Sequence, residues 1–151
     1  MIKKILSIGF LSILFSCIST KSTIKNTNEK ATIPIIINNN HFVITEIASN
    51  KKYGYHPDYP INTGFTTIQE GEHNDKYFLN ALKGPQGETL SYEKTGNCCP
   101  FPSKKTEMGV GLLTLYQIKW KGLKNPITLY FNSYEKGDLL IPIGLTTVSN
   151  H

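Results

Sequence analysis

Arginine is absent from the chain, because all sixteen of its basic residues are lysines. Bidentate recognition of phosphates and guanine edges depends on the guanidinium group, so nucleic-acid binding is disfavoured despite a net charge of +5. Charged residues make up only 18%, and eight tyrosines and seven phenylalanines are spread along the sequence, which excludes wholesale disorder. We find no internal repeat and no sustained heptads, which excludes repeat arrays and coiled coils. A single domain is therefore expected.

The chain also lacks an apolar run long enough to span a bilayer. The strongest such run, residues 5–15, has eleven residues, whereas a helix needs about 20 to cross the hydrocarbon. It follows Lys3 and Lys4, and this order of a basic start and a short apolar core is typical of a secretory signal. We predict that residues 1–16 are a signal peptide.

The end of this leader, Leu14-Phe15-Ser16-Cys17, resembles a bacterial lipobox. The resemblance implies that Cys17 receives a diacylglycerol on its sulfur, becomes the new N-terminus and is acylated there, for instance with palmitate. Each buried CH₂ contributes about 0.8 kcal/mol, so two or three acyl chains anchor a protein without a spanning helix. The alternatives are an ordinary secretory signal with a coincidental cysteine and a buried N-terminal helix.

The residues after Cys17 bear on localisation. Cleavage would leave fourteen lysines against eleven acidic residues, a net charge of +3, which gives nucleic-acid binding no support. Residues 18–22 contain no acidic cluster of the kind that resembles a surface-export signal, and this favours a periplasm-facing lipoprotein of the bacterial cell envelope. Residues 17–32, rich in Ser, Thr, Asn and Lys, are predicted to be the lipidated cysteine and a flexible tether, with one domain over 33–151.

The pattern of the domain predicts an α+β fold, with one helix packed on a mainly antiparallel sheet of about five strands. The helix is predicted over residues 74–83, capped by Asn74, favoured at its C-terminal end by Lys83 and ended by a left-handed Gly84 before Pro85.

Strands are predicted where aromatic and branched residues concentrate. Early strands over 35–37 and 41–47 flank an Asn-rich turn, a short strand lies near 88–94, and the clearest hairpin pairs 112–120 with 127–134. On the first arm of this hairpin, one face is predicted to carry Leu112, Tyr116, Ile118 and Trp120. Two further segments complete the prediction, an edge strand over 139–145 and an irregular, proline-containing stretch over 53–60.

Cys98 and Cys99 are the most distinctive pair in the chain. With Cys17 lipidated, two of the three cysteines remain, and an even number in an oxidising envelope favours a disulfide. Adjacent Cα atoms lie about 3.8 Å apart, so a vicinal bond would need an eight-membered ring with a distorted or cis peptide. We expect residues 95–102 to form a turn that accepts it. Inert or intermolecular thiols, and a redox or metal role, are the alternatives.

The other candidate sites have weaker patterns. Tyr53, Tyr55 and Tyr59 could stack on sugar rings or a peptide, or else pack over a sheet edge with their hydroxyls in water. His73 stands among Glu70, Glu72 and Asp75, but acidic residues at a helix N-terminus complement the helix dipole without any metal.

No dinucleotide loop, catalytic triad or metal-ligand spacing is recognised in the sequence. We therefore predict no catalytic residues, no metal and no cofactor, and the sequence favours a protein that is not an enzyme.

Motifs over most of the mature chain resemble a family of small, uncharacterised bacterial envelope lipoproteins. Its specific pieces here are Leu79-Asn80-Ala81-Leu82-Lys83-Gly84-Pro85-Gln86-Gly87 and Cys98-Cys99-Pro100-Phe101. Members of that family sometimes carry the name 2-dehydro-3-deoxyphosphooctonate aldolase. An aldolase of that kind resembles enzymes with a (β/α)₈ barrel fold, which needs about 250 residues. The resemblance implies the domain boundaries and the anchor, and it carries no catalytic residues with it.

Together these features predict a lipid-anchored envelope protein that binds or scaffolds a glycan or protein partner. The alternative is a thiol-redox protein in which Cys98 and Cys99 cycle between dithiol and disulfide. The aldolase of the family name ranks third.

Overall fold

A computed structural model describes residues 23–66 and 68–148, and of residues 68–72 only the backbone. The predicted signal peptide and the lipidation of Cys17 lie outside these residues. The elements, in chain order, are β1 (Ile36–Ile37), β2 (His41–Phe42), β3 (Ile61–Asn62), α1 (Ile68–Ala81), β4 (Leu82–Lys83), β5 (Ser91–Pro102), β6 (Val110–Lys119), β7 (Ile127–Asn132) and β8 (Thr146–Thr147).

The main sheet has four strands in the order β3-β7-β6-β5. Its pairs β5–β6 and β6–β7 are antiparallel, and the short β3 runs parallel to β7. Two separate antiparallel ribbons, β1–β2 and β4–β8, complete the described strands. The predicted α+β class with one helix is confirmed, whereas the main sheet has four strands instead of about five, because the early strands pair only with each other.

The larger core fills the space between helix α1 and one face of the sheet. Alternation along β6 places Tyr116 and Ile118 on this face, as predicted, where both are buried. Phe131 of β7 meets the ring of Tyr116 at 5.1 Å and that of Phe78 on the helix at 5.7 Å, both edge to face. Leu112, predicted on the same face, lies beyond this core and is 43% exposed.

A smaller core lies on the opposite face of the sheet. Leu113 of β6 and Phe101 of β5 are buried there together with Ile24 from the N-terminal segment. The rings of Tyr130 and Tyr134 pack against this cluster.

The segment that follows Ile24 lies along the domain. The backbone amide of Lys25 donates to the carbonyl of Asp58, and the amide of Asn28 donates to the carbonyl of Lys136. The side chain of Asn62 donates to the carbonyl of Asn26 at 3.0 Å.

The helix differs from the prediction at both ends. It begins at Ile68, so Asn74 is not a cap but a buried interior residue, whose amide donates to the carbonyl of Thr63 at 3.0 Å. It ends at Ala81, and the chain continues directly into β4, so Gly84 does not adopt a left-handed conformation. The predicted cap and stop were wrong because tertiary contacts of Asn74 outweigh its local capping preference.

The strand predictions hold for the hairpin and for the Asn-rich turn. Asn38 and Asn39 have φ of 52° and 51°, as a tight turn between β1 and β2 requires. The structure shortens the second early strand to His41–Phe42. The predicted edge strand over 139–145 was wrong, because Ile141 forms only an isolated bridge with Ile47.

The predicted turn over residues 95–102 was wrong as well. β5 continues through this segment and pairs with β6 on both sides of the cysteines, with register shifts between Lys94 and Gly96 and between Cys98 and Phe101. Each shift places one extra residue in β5, the arrangement of a β-bulge. A bulged strand, and not a turn, therefore accommodates the backbone conformation that the adjacent cysteines require.

Helix α1 is neither long nor apolar enough to cross a membrane, and the described part of the chain holds no other candidate span.

Candidate functional site

The bulge in β5 brings the sulfur atoms of Cys98 and Cys99 to bonding distance, which forms a vicinal disulfide. The two Cα atoms are 3.7 Å apart, and none of the peptide bonds among the described residues is cis. Cys99 instead adopts a φ of +56°, in the left-handed region that non-glycine residues rarely occupy. The positive φ of Cys99 thus accommodates the eight-membered disulfide ring while the peptide bond between the two cysteines stays trans.

This disulfide packs on the smaller core. Cys98 stands opposite Leu113 in the β5–β6 register, and both cysteines contact the cluster of Ile24, Phe101 and Leu113. Both are half-buried, so the pair is partly open to solvent.

Beside this core, six buried polar residues meet where the parallel strands β3 and β7 end against helix α1. They are Asn62, Thr63, Asn74, Asp75, Asn132 and Ser133. The parallel register pairs Ile61 with Phe131 and Asn62 with Asn132, so equivalent positions after the two strands come together.

Asp75 is the centre of this polar cluster. Its carboxylate accepts hydrogen bonds from the Thr63 hydroxyl at 2.5 Å and from the Ser133 hydroxyl at 3.4 Å. The side chain of Asn132 donates to the Oδ1 atom of Asn62 at 2.8 Å, which adds a second pair to the polar cluster. Because these groups are paired with one another, the cluster holds the two strand ends and the helix in one arrangement.

A cavity of about 370 Å³ opens above Ser133. Its lining consists of Gly64, Phe65, Thr66, Lys105, Ser133, Tyr134 and Lys136. A Cβ atom on Gly64 would lie 2.5 Å from the backbone carbon of Tyr134, so a larger residue would push the two walls apart. Tyr134 also stacks edge to face on Phe101 at 6.0 Å, which joins this pocket to the core under the disulfide.

The chemistry of the pocket combines positive charge with a hydrogen-bond acceptor. Lys105 and Lys136 bring ammonium groups, of which that of Lys105 pairs with Glu29 at 3.4 Å. The Ser133 hydroxyl donates to Asp75 in a long hydrogen bond of 3.4 Å, and a hydroxyl oxygen that donates can still accept from a ligand. The arrangement suits a small anionic molecule that also carries a hydroxyl or amide donor.

The three tyrosines predicted as a ligand-binding loop have separate environments. The Tyr53 hydroxyl is buried, donates to the carbonyl of Asp138 and accepts from the amide of Leu140, both at 3.1 Å. The Tyr55 hydroxyl donates to the carbonyl of Ile143 at 2.9 Å. Burial raises the pKa of Tyr55 to about 12 and raises the pKa of Tyr53 as well.

The ring of Tyr59 lies near two lysine side chains. The ammonium groups of Lys25 and Lys52 lie 5.8 and 5.9 Å from the centre of its ring. The contacts of the three side chains thus involve different groups, and none of the three lines the pocket above Ser133.

His73 and Asp75, considered for a metal site, also have different environments. Asp75 points into the buried polar cluster, whereas His73 is exposed on the helix. Within the described residues no group of three or more His, Cys, Asp or Glu side chains is placed to hold a metal ion.

The residues that line the pocket floor were missed in the sequence. A signal for them exists, since the strands β3 and β7 end in similar polar runs, Asn62-Thr63-Gly64 and Asn132-Ser133-Tyr134. Their pairing required the parallel contact of two strands that are separated by about half the chain, and local patterns do not report that contact.

In comparisons with known proteins, no family model, no curated protein and no solved structure matches this chain.

Proposed function

We propose that the protein is a lipid-anchored module of the bacterial cell envelope that binds a small anionic ligand in the pocket above Ser133. The observation that carries the binding function is the cavity that Lys105, Lys136 and Ser133 line together. The leader that ends at Cys17 supports the anchor. The disulfide supports export, because such bonds persist in oxidising compartments.

The proposed ligand carries one anionic group and at least one hydrogen-bond donor. Ammonium groups attract the anion, and the Ser133 oxygen accepts from the donor. Acidic sugars and phosphorylated or carboxylated fragments of envelope glycans have this chemistry. The proposal places the glycan-binding role, first assigned to the tyrosine loop, at a pocket on another part of the domain.

Inorganic phosphate, which carries both negative charge and hydroxyl donors, is the probe for this site. We expect phosphate to raise the thermal unfolding temperature above that in sodium chloride of equal ionic strength, because a ligand that binds only the native state stabilises it. Replacement of Lys136 by methionine should remove most of this shift, since it deletes the ammonium group and keeps the aliphatic stem.

Lys124→Met, in the exposed turn between β6 and β7, is the matched control and should retain the shift. Equal unfolding temperatures in phosphate and chloride, or equal responses of the two lysine variants, would argue against an anion site here.

A second function, thiol-disulfide exchange, is favoured by the half-buried position of Cys98 and Cys99. In such a cycle, a dithiol partner protein would reduce the Cys98–Cys99 bond to two thiols and would itself be oxidised to a disulfide. Two electrons and two protons pass from the partner to the protein in this half of the cycle. A second partner protein that carries a disulfide would take them up again when the Cys98–Cys99 bond re-forms. In a binding module, by contrast, the Cys98–Cys99 bond would stay oxidised and serve only the structure.

Alkylation under acid quench distinguishes these uses. We expect two labels on the monomer only after reduction, because the sulfur atoms are bonded in the native state. The midpoint in dithiol redox buffers then separates a structural bond, with a potential below about −300 mV, from a working pair nearer about −270 to −120 mV. The control is the Cys98→Ser, Cys99→Ser double variant, which should take up no label at these positions. Two labels before reduction would remove both disulfide assignments.

A further inference from the structure

The turn between β5 and β6 holds the most exposed of the large apolar side chains that the structure describes. Met108 at its tip is 87% exposed. The turn is held by hydrogen bonds from the amide of Ser103 to the carbonyl of Gly109 and from the amide of Gly109 to the carbonyl of Thr106, at 3.0 and 3.1 Å. The methionine is therefore presented to solvent by an ordered turn.

Two further apolar side chains continue from this turn along β6. Val110 and Leu112 are 47% and 43% exposed. Being two positions apart, they lie on the same face of the strand. We call Met108, Val110 and Leu112 the Met108 edge.

Basic residues accompany this edge. Lys104 and Lys105 are exposed in the same turn, which contains one acid, Glu107. Glu29 adds a second acid, 3.4 Å from the ammonium group of Lys105. Apolar side chains flanked by lysines are typical of surfaces that lie in the headgroup region of a bilayer that contains anionic lipids.

The N-terminal segment reaches the domain next to this edge. Ile24 is buried against Phe101 and Leu113, and in the β5–β6 pairing Phe101 faces Gly111, which stands between Val110 and Leu112 in β6. The chain from the anchor therefore joins the domain at the end of the hairpin that carries the Met108 edge.

The length of chain before this contact limits how far the edge can be from lipid. From Cys17 to Ile24 there are seven residue steps, which span at most about 25 Å when fully extended. A domain of this size is roughly 35 Å across. The surface around Ile24 is consequently the part of the domain that the anchor holds nearest to the membrane.

We propose that the Met108 edge docks on the bilayer that holds the lipid of Cys17, with Met108, Val110 and Leu112 in the boundary between headgroups and acyl chains. This inference rests on the proposed anchor. It orients the domain, and because Lys105 belongs both to the turn and to the pocket wall, it places the mouth of the pocket near the membrane surface.

Met108 provides a native probe, since it is the only methionine that would remain after removal of residues 1–16. The full lipidated protein is bound to vesicles of phosphatidylethanolamine and phosphatidylglycerol, and oxidation of Met108 by hydrogen peroxide is followed by peptide mass. We expect oxidation at least about fivefold slower than in the Cys17→Ala variant free in solution, because the thioether leaves the aqueous phase.

Lys119→Met is the matched control, made in the lipidated protein. Lys119 is exposed at the other end of β6, about 30 Å from Val110 at about 3.3 Å per residue. The methionine introduced there should oxidise at the same rate on vesicles and in solution.

The outcomes separate the docking from the anchor. Protein that carries acyl chains and floats with the vesicles, yet oxidises at Met108 as fast as in solution, would overturn the docking and leave the anchor standing. Protein without acyl chains that does not float would remove the anchor and the docking together. Protection that disappears when the lipid-to-protein ratio is raised would indicate contact between copies and would also overturn the docking.

Discussion

Replacement of Cys17 by alanine is expected to transfer the protein from the membrane fraction to the soluble fraction almost completely. A single acyl chain gives only marginal membrane binding, whereas two or three give a stable anchor, so removal of the acceptor sulfur deletes the whole attachment. Helix α1 cannot replace it, being too short and too polar to span a bilayer. The measurement is fractionation of cells that express the full chain, followed by detergent-phase partition.

Intact mass makes this experiment specific. The membrane-bound wild type should start at Cys17 and carry a diacylglycerol and an acyl chain. The Cys98→Ser, Cys99→Ser double variant is the control, and it should retain the same lipid mass because its substitutions lie in the domain. Identical soluble behaviour of the wild type and Cys17→Ala would refute the lipoprotein assignment.

Replacement of Asp75 by alanine is expected to lower the free energy of unfolding by about 3 kcal/mol, since hydroxyl groups that lose their acceptor inside the protein each cost about 1–3 kcal/mol. The hydroxyls of Thr63 and Ser133 both donate to this carboxylate, and all three residues are buried. Urea unfolding, with the slope checked for two-state behaviour, measures the change.

Asp58→Ala is the matched control for this prediction. Asp58 forms a salt bridge with Lys25 at 3.2 Å near the surface, and exposed pairs of this kind contribute only about 0–1 kcal/mol. Equal losses in the two variants would show that the Asp75 cluster does not hold β3, β7 and the helix together. Asp75→Asn, of similar shape, should fall between the two because it keeps one acceptor oxygen.

The pocket depends on the same cluster, and this links stability to the proposed function. Ser133 lines the cavity, and its hydroxyl donates a hydrogen bond to Asp75. Loss of the carboxylate would free that hydroxyl to rotate, so phosphate should stabilise Asp75→Ala less than the wild type even where the variant remains folded.

Local sequence patterns, which involve residues only a few positions apart, were sufficient to predict several elements. Alternating residues of the hairpin predicted β6 and β7, with Tyr116 and Ile118 on the core face, and the Asn-rich segment predicted the first turn. These predictions succeeded because strand alternation and left-handed turns are set by neighbouring residues.

Other elements depended on partners elsewhere in the chain. Asn74 has the residue type of a helix cap, yet its amide is bonded to Thr63, so the helix starts six residues earlier at Ile68. The Cys-containing segment has the composition of a turn, but pairing with β6 on both sides keeps it extended as a bulged strand. In both cases tertiary hydrogen bonds outweighed local preference.

The sequence by itself determined the α+β class and the central hairpin. The leader and the anchor at Cys17 are predictions from the sequence alone. Only the tertiary structure decided that polar residues at the ends of β3 and β7 meet at Asp75, that a pocket lined by Lys105 and Lys136 opens above Ser133, and that Ile24 packs against Phe101 and Leu113. The physical reason is the distance along the chain over which each interaction acts. Hydrophobic period and turn chemistry act between residues a few positions apart, whereas a buried polar cluster forms only when the parallel pairing of distant strands brings its members within hydrogen-bond distance.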